Sequence, residues 1–229
     1  MVIPRIDFKP GSPFQASYTL FSLGYDLFRK EGSVSFAWKP GKANVNCECM
    51  VERNTEAEDL KSYFYQTSRH KNDRYLTPVE WTRHSRMAKN PEAPAYPVTE
   101  LGGKIRLNKN TLHIAETGKS FNKPMEGVPL LKWAHWGLLP SLEDHEDFIF
   151  DWIDEMEQIF KGHQIRFRGK ITLETKGGEI NLSSFHHTGT GIIPTVYWLT
   201  GNKVLLFVVS GTEVYIHDIA STLLSYNPP

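Results

Sequence analysis

Two adjacent histidines, His186 and His187, sit in a run of alternating residues that reads as a β-strand. Imidazole gives and takes a proton near neutral pH, which is what acid–base chemistry on a bound molecule requires. On a strand the two rings point to opposite faces, so at most one looks into a sheet interior. His187 shares its face with Phe185, and His186 shares its face with Leu182 and Ser184, so parity leaves open which is inside. Tyr197 follows closely and offers a hydroxyl to stabilise developing negative charge. His187, His186 and Tyr197 are therefore the catalytic candidates. A hydrogen-bonded or surface histidine is the plainer alternative for each ring.

The segment Lys132-Trp133-Ala134-His135-Trp136 places a histidine between two indoles. Flat apolar walls with a polar handle suit a small hydrophobic or aromatic ligand, and Trp198 beside Tyr197 adds to the same set. Core burial of both indoles is the competing explanation. Glu80-Trp81-Thr82-Arg83-His84-Ser85-Arg86 is a further candidate strand. Glu80 and His84 share one face there, with Arg83 on the other beside Trp81. Such groups could make an acid–base pair with an anion clamp, or simply cross-strand ion pairs. Trp133, His135, Trp136, Trp198, Arg83, His84 and Glu80 are the binding candidates.

Other chemistries find little support. The acidic run Glu143-Asp144-His145-Glu146-Asp147 lacks the paired histidines of a metal helix, so no metal site is expected. Thr188-Gly189-Thr190-Gly191 follows a strand, but no lysine or helix follows it, and a wide bend explains its glycines better than a phosphate loop does. No redox or nucleotide cofactor is expected. Arg166, Arg168 and Lys170 make a basic stripe that pairing with acidic neighbours explains better than nucleic-acid binding.

These residues need a scaffold, and the sequence describes one. Strands are expected at Phe14 to Leu23, Ser33 to Trp38, Val45 to Val51, Leu76 to Arg86, Lys104–Leu107 and Thr111–Glu116. The stretch Val51 to Arg69 is ambiguous, helical around Glu56–Leu60 and strand-like at Tyr63–Tyr65. One long helix is predicted over Leu142 to Phe160, from the apolar stripe Ile149, Trp152, Ile153, Met156 and Phe160, with Lys161-Gly162 ending it. A meander follows: His163–Thr175, Glu179–Thr188, Ile193–Thr200, Lys203–Val209 and Glu213–Asp218. Gly177-Gly178, Gly201-Asn202 and Ser210-Gly211-Thr212 supply its turns.

The expected fold is mainly β (α+β): a curved antiparallel sheet, barrel or sandwich with the helix packed on it or plugging it. A single domain is expected over residues 1–229, with a strand-rich half at about 1–120 and a helix-plus-meander half at about 128–220. The chain of 229 residues carries equal numbers of basic and acidic side chains, 26 each, which argues against a dedicated nucleic-acid binder. No apolar run approaches a membrane span and no signal peptide is evident, so a cytoplasmic protein without membrane partners is expected. Cys47 and Cys49 are too close for a comfortable mutual disulfide and are expected as reduced thiols on one strand face. The leading expectation is a pocket for a small hydrophobic or aromatic molecule, with cofactor-free acid–base chemistry (isomerase, cyclase, lyase or hydrolase type) if it is an enzyme. A ligand carrier or a protein-interaction domain is the alternative.

Overall fold

The computed structural model describes residues 13–23, 28–55, 59–93, 104–108, 111–116, 119–155, 158–175 and 178–218. Strands dominate them: β1 (Phe14–Leu23), β2 (Phe28–Pro40), β3 (Asn44–Asn54), β4 (Lys61–Lys71), β5 (Pro78–Ala88), β6 (Lys104–Asn108), β7 (Thr111–Glu116), β8 (Lys119–Pro124), β9 (Pro129–Leu131), β10 (Asp147–Ile153), β11 (Ile159–Thr175), β12 (Gly178–Thr188), β13 (Thr195–Thr200), β14 (Leu205–Ser210) and β15 (Glu213–His217). They form one 15-stranded sheet in which β1 pairs with β15, so the N-terminal run of hairpins joins the C-terminal meander. Neighbours are antiparallel except β9 and β10, which are parallel.

The sheet curls into a nearly closed, 12-strand barrel-like wall, with β6–β8 continuing outward from β5. Alternation explains the curl, because one face of each long strand is apolar and must be covered. On β2 the inward set is Val34, Phe36 and Trp38, and on β3 it is Val45, Cys47, Cys49 and Val51, all buried. Cys47 and Cys49 thus share the inner face, as their spacing demands, and both are free thiols.

The seam between β4–β5 and β9–β10 is held by side chains. Buried Arg83 on β5 donates through Nε to Gln66 Oε1 at 2.9 Å and through Nη1 to the Asp154 carbonyl. Gln66 Nε2 reaches the Lys132 carbonyl at 3.4 Å. A buried guanidinium is costly unless its donors are used, and here they tie two strand edges together.

The long helix predicted over Leu142 to Phe160 is absent. Strand β10 occupies its middle, with Phe148, Phe150 and Trp152 buried and Ile149, which the helical stripe would bury, 62% exposed. Aromatic residues at every second position pack well on a pleated face, and β9 and β11 on either side supply ladder partners that an isolated helix lacks. Lys161 and Gly162 lie inside β11 instead of ending a helix. The interior is plugged by a shorter piece, two 3-10 turns at Ala134–Gly137 and Leu139–Ser141, carrying buried Ala134, His135, Trp136 and Leu139. Gly137 lies so close to the Trp38 ring that an added Cβ would come within 2.3 Å of it, so this plug needs glycine there.

In the ambiguous stretch β3 runs to Asn54 and β4 starts at Lys61, so Tyr63–Tyr65 is strand, while 56–58, the centre of the helical reading, lie outside the described residues. The Ser210-Gly211-Thr212 turn stands where expected, with Ser210 opposite Glu213, whereas the Gly201-Asn202 turn is longer than two residues, and β14 starts at Leu205 and not at Lys203. Gly178, expected in a turn with Gly177, instead opens β12 opposite Thr175, while 177 lies outside the described residues. The expected turn at 109–110 and the proline-rich stretch from 94 onward also lie outside them.

Two basic residues of the proposed stripe find acidic partners. Arg166 meets Asp147 at 3.2 Å and Lys170 meets Asp144 at 2.6 Å. The stripe itself is interrupted, because a bulge at Arg168 shifts the β11–β12 register between Phe167 and Gly169. One extra residue flips every side chain beyond it to the other face. Ile171, expected to share a face with Ile165, is 46% exposed as a result, whereas Ile165 is fully buried.

Candidate functional site

A cavity of about 270 Å³ opens between the plug and strands β10 and β13–β15. Trp133, Trp136, Trp152, Phe160, Tyr197 and Tyr215 wall it with rings, and His135 and His187 add imidazoles. The rings brace one another edge to face, with Trp133 and Trp136 centroids 5.6 Å apart and His135 and Trp152 centroids 4.7 Å apart. Such packing fixes the walls before any ligand arrives.

Behind the wall runs a chain of polar contacts. His135 Nε2 lies 2.7 Å from the Tyr197 hydroxyl, which lies 3.2 Å from His187 Nδ1. His187 Nε2 lies 2.9 Å from His163 Nδ1, and His163 Nε2 lies 3.0 Å from the Thr190 carbonyl. All four side chains are buried. Burial holds the three imidazoles below their ordinary range. His187 is pushed down to about 3, with neighbouring His163 adding to the effect. His135 lies well below its usual value, from burial first and His187 second. His163 is lowered by burial, with the Thr190 carbonyl and Asp151 pulling it partly back. Burial also raises the Tyr197 phenol, so at neutral pH the whole chain is uncharged.

Backbone geometry builds this arrangement. His187 and Tyr197 are inward residues of adjacent strands, with Phe185 opposite Tyr197 and Thr195 opposite His187. His163 faces the same way only because of the Arg168 bulge. In the register before it, Ile165 stands opposite His187, and His163 follows two residues along on the same face. Gly189 completes the end of the chain. A Cβ there would sit 2.5 Å from the His163 ring, so only glycine lets the loop lie close enough for the Thr190 carbonyl to reach Nε2.

At the mouth, Trp133 has φ 70° and ψ −51°, and the Ala134 N–H donates to the Lys132 carbonyl at 2.9 Å. This is a γ-turn in its rare, strained form, carried by a bulky residue. Its indole N–H donates to Glu155 Oε1 at 2.6 Å, and Lys132 Nζ stands 3.3 Å from Glu155 Oε2. Across the opening Arg53 forks onto Glu213 and also donates to the Tyr215 hydroxyl at 3.1 Å. Lys132 and Glu155, and Arg53 and Glu213, are thus paired at the mouth, and the histidine–tyrosine chain behind it is neutral.

The structure brings together Trp133, His135, Trp136, His187 and Tyr197 from the sequence-derived set. It leaves the others elsewhere. His186 and Trp198 are half-buried on the opposite faces of their strands, so the question of the inward histidine resolves to His187. Arg83 belongs to the barrel seam. His84 is exposed on the outer face and stacked on Tyr65 at 4.5 Å, and Glu80 pairs with Arg69 at 3.1 Å. Sequence reasoning missed His163, Trp152, Tyr215 and the Arg53–Glu213 pair. A hairpin alignment of β11 with β12 could have found His163 only with the bulge already known.

No group of three or more His, Cys, Asp or Glu side chains suited to a metal ion occurs among the described residues. No helix among them is long and apolar enough to cross a membrane.

No protein-family model matches the chain, and no curated protein matches it. Among solved structures, a β-barrel-like protein of a domain of unknown function, DUF1849, from Brucella abortus aligns with a TM-score of 0.57 at 8% identity, over 90% of this chain and 94% of that one. Aeromonas veronii immune modulator A aligns at 7% identity over 90% of this chain and 72% of that one, but its TM-score of 0.22 is too low to speak for a common fold. What the chain shares with the Brucella protein is a barrel-like β fold.

Proposed function

We propose that this barrel-like protein binds a small, uncharged aromatic or hydrophobic molecule in the cavity walled by Trp133, Trp136, Trp152, Tyr197 and Tyr215. The observation that carries this reading is the cavity itself: braced rings, a neutral polar chain behind them and paired charges at the mouth. Its volume of about 270 Å³ lies at the small end for ligand sites and suits one ring or two fused rings. A charged ligand would lose its hydration on entering, and Lys132, Glu155, Arg53 and Glu213 at the mouth are already engaged with one another.

Titration with 4-nitroaniline, a neutral ring that absorbs where tryptophan emits, tests the reading. Saturable quenching of tryptophan fluorescence, reversed by excess indole, is the expected result. Quenching that rises linearly without saturating would overturn it.

The hydrogen-bonded chain favours a second reading, cofactor-free acid–base turnover of the bound molecule. The Tyr197 oxygen would take a substrate proton as its own proton passes to His187 Nδ1, and the His187 Nε2 proton passes to His163 Nδ1. In that reading Tyr197→Phe lowers turnover by about 10²–10⁴-fold with a smaller change in affinity. A purely binding role shows the change in affinity alone.

A further inference from the structure

The polarity of the buried chain follows from its last member. A carbonyl oxygen can only accept, so His163 Nε2 must carry the proton shared with Thr190. With His163 neutral, its Nδ1 is a lone pair and accepts from His187 Nε2–H. His187 Nδ1 is then a lone pair as well and accepts from the Tyr197 hydroxyl. The hydroxyl proton is thereby committed, and the Tyr197 oxygen accepts in turn from His135 Nε2–H. The chain ends at His135 Nδ1, which in this ordering is a buried lone pair and makes no hydrogen bond of good geometry, although the Leu131 backbone favours a proton on this ring. Counted from Thr190, each contact as far as His135 Nε2 fits this assignment, and reversing a single link would set two lone pairs or two protons against each other.

Tyr197 lines the cavity, and its oxygen has two lone pairs, of which His135 uses one. We propose that the Thr190 carbonyl, acting through His163 and His187, fixes Tyr197 as a hydrogen-bond acceptor toward the cavity, so that the site selects aromatic ligands bearing an N–H or O–H donor over isosteres bearing an ether or carbonyl oxygen. This rests on the cavity being a ligand site and names the class of ligand it takes. His163 does not line the cavity, so it is a positioning residue whose effect reaches the ligand only through the chain. A site built around a committed acceptor rejects an analogue without a donor, because the analogue's lone pairs then face those of Tyr197.

Indole and benzofuran differ by N–H against O in nearly the same shape, and calorimetry with the full chain compares them. Indole is expected to bind at least about tenfold more tightly. His163→Phe, which cannot accept from His187, lets His187 carry its proton on Nδ1 and donate to Tyr197 alongside His135, which frees the hydroxyl proton for the cavity and should bring the ratio close to one. His163→Gln can donate to Thr190 and accept from His187, and should keep most of the preference. If benzofuran binds the wild-type protein as well as indole does, the inference is overturned, and this holds even if His163→Phe fails to fold. Full preference in a folded His163→Phe variant would also overturn it. Saturable 4-nitroaniline quenching together with equal indole and benzofuran affinities defeats this inference alone. Failure of all three ligands to bind defeats the cavity reading too.

Discussion

His70 on β4 and His187 on β12 are both 1% exposed, both neutral by burial and both hydrogen-bonded at each ring nitrogen. Their partners set them apart. His70 donates through Nδ1 to the Leu76 carbonyl at 2.7 Å and accepts at Nε2 from Ser68 at 2.8 Å, both close by in sequence, and it packs on Trp38 with centroids 5.6 Å apart. His187 takes partners from β11 and β13, so its geometry holds only while three strands keep their register. A histidine satisfied by its own neighbourhood caps a turn. A histidine satisfied across strands and set in a cavity wall transmits what happens at one end to the other.

The largest expected contrast comes from removing a hydroxyl from each. Tyr197→Phe strips a partner from both His135 and His187 and should cost about 2–6 kcal/mol by denaturant unfolding, at roughly 1–3 kcal/mol per unpaired buried group. It should also weaken indole binding. Ser68→Ala leaves one nitrogen of His70 without its hydroxyl and should cost about 1–3 kcal/mol, with indole affinity unchanged. An equal loss of indole affinity in both variants would erase the distinction.

Acid separates the two rings next. Each has a folded pKa below that of the unfolded chain, about 4 for His70 and about 3 for His187. Between those values and about 6.5 the unfolded chain binds more protons, so stability falls as the pH is lowered. The His70 share, on the order of 3 kcal/mol, is spent by about pH 4, and that of His187 continues to about pH 3. His70→Gln should therefore flatten the stability curve between about pH 6.5 and 4, and His187→Gln should flatten it further into acid, as read by thermal melts across pH. A wild-type melting temperature that rises on acidification in this range would contradict the sign.

A smaller effect is expected at Gly189→Ala. The added methyl must push the His163 ring or the loop away, costing about 1–3 kcal/mol as overpacking. It should also lower the indole preference while leaving His70 untouched. A variant with wild-type stability would mean that the loop yields freely and that the contact with Thr190 is not enforced by packing.

Much of this contrast lay in the sequence, but unevenly. Alternation in β2, β3 and the β12–β15 meander announced a curved antiparallel sheet, but the Gly201-Asn202 turn did not set its hairpin register: Leu199 pairs with Leu205, and the register shifts again between Leu199 and Trp198. The Trp133–Trp136 segment and Tyr197 stood out by residue type and do meet at the cavity. Leu142 to Phe160 misled because its apolar residues satisfy a period of 3.6 and a period of 2 alike, and only pairing with β9 and β11 decides between them. Parity could sort Glu80 and His84 from Arg83, but which face is inward depends on the closed wall. His163 was invisible because a single bulged residue, Arg168, turns it inward, and no local pattern announces a bulge.

The polarity of the buried chain is tested most directly by long-range ¹H–¹⁵N spectra of the histidine side chains at neutral pH, which distinguish the two neutral tautomers from imidazolium. His163, His187 and His135 should all carry their proton on Nε2, while His70, facing the Leu76 carbonyl, should carry its proton on Nδ1. A proton on Nδ1 of His187, or an imidazolium at His163, would contradict the account.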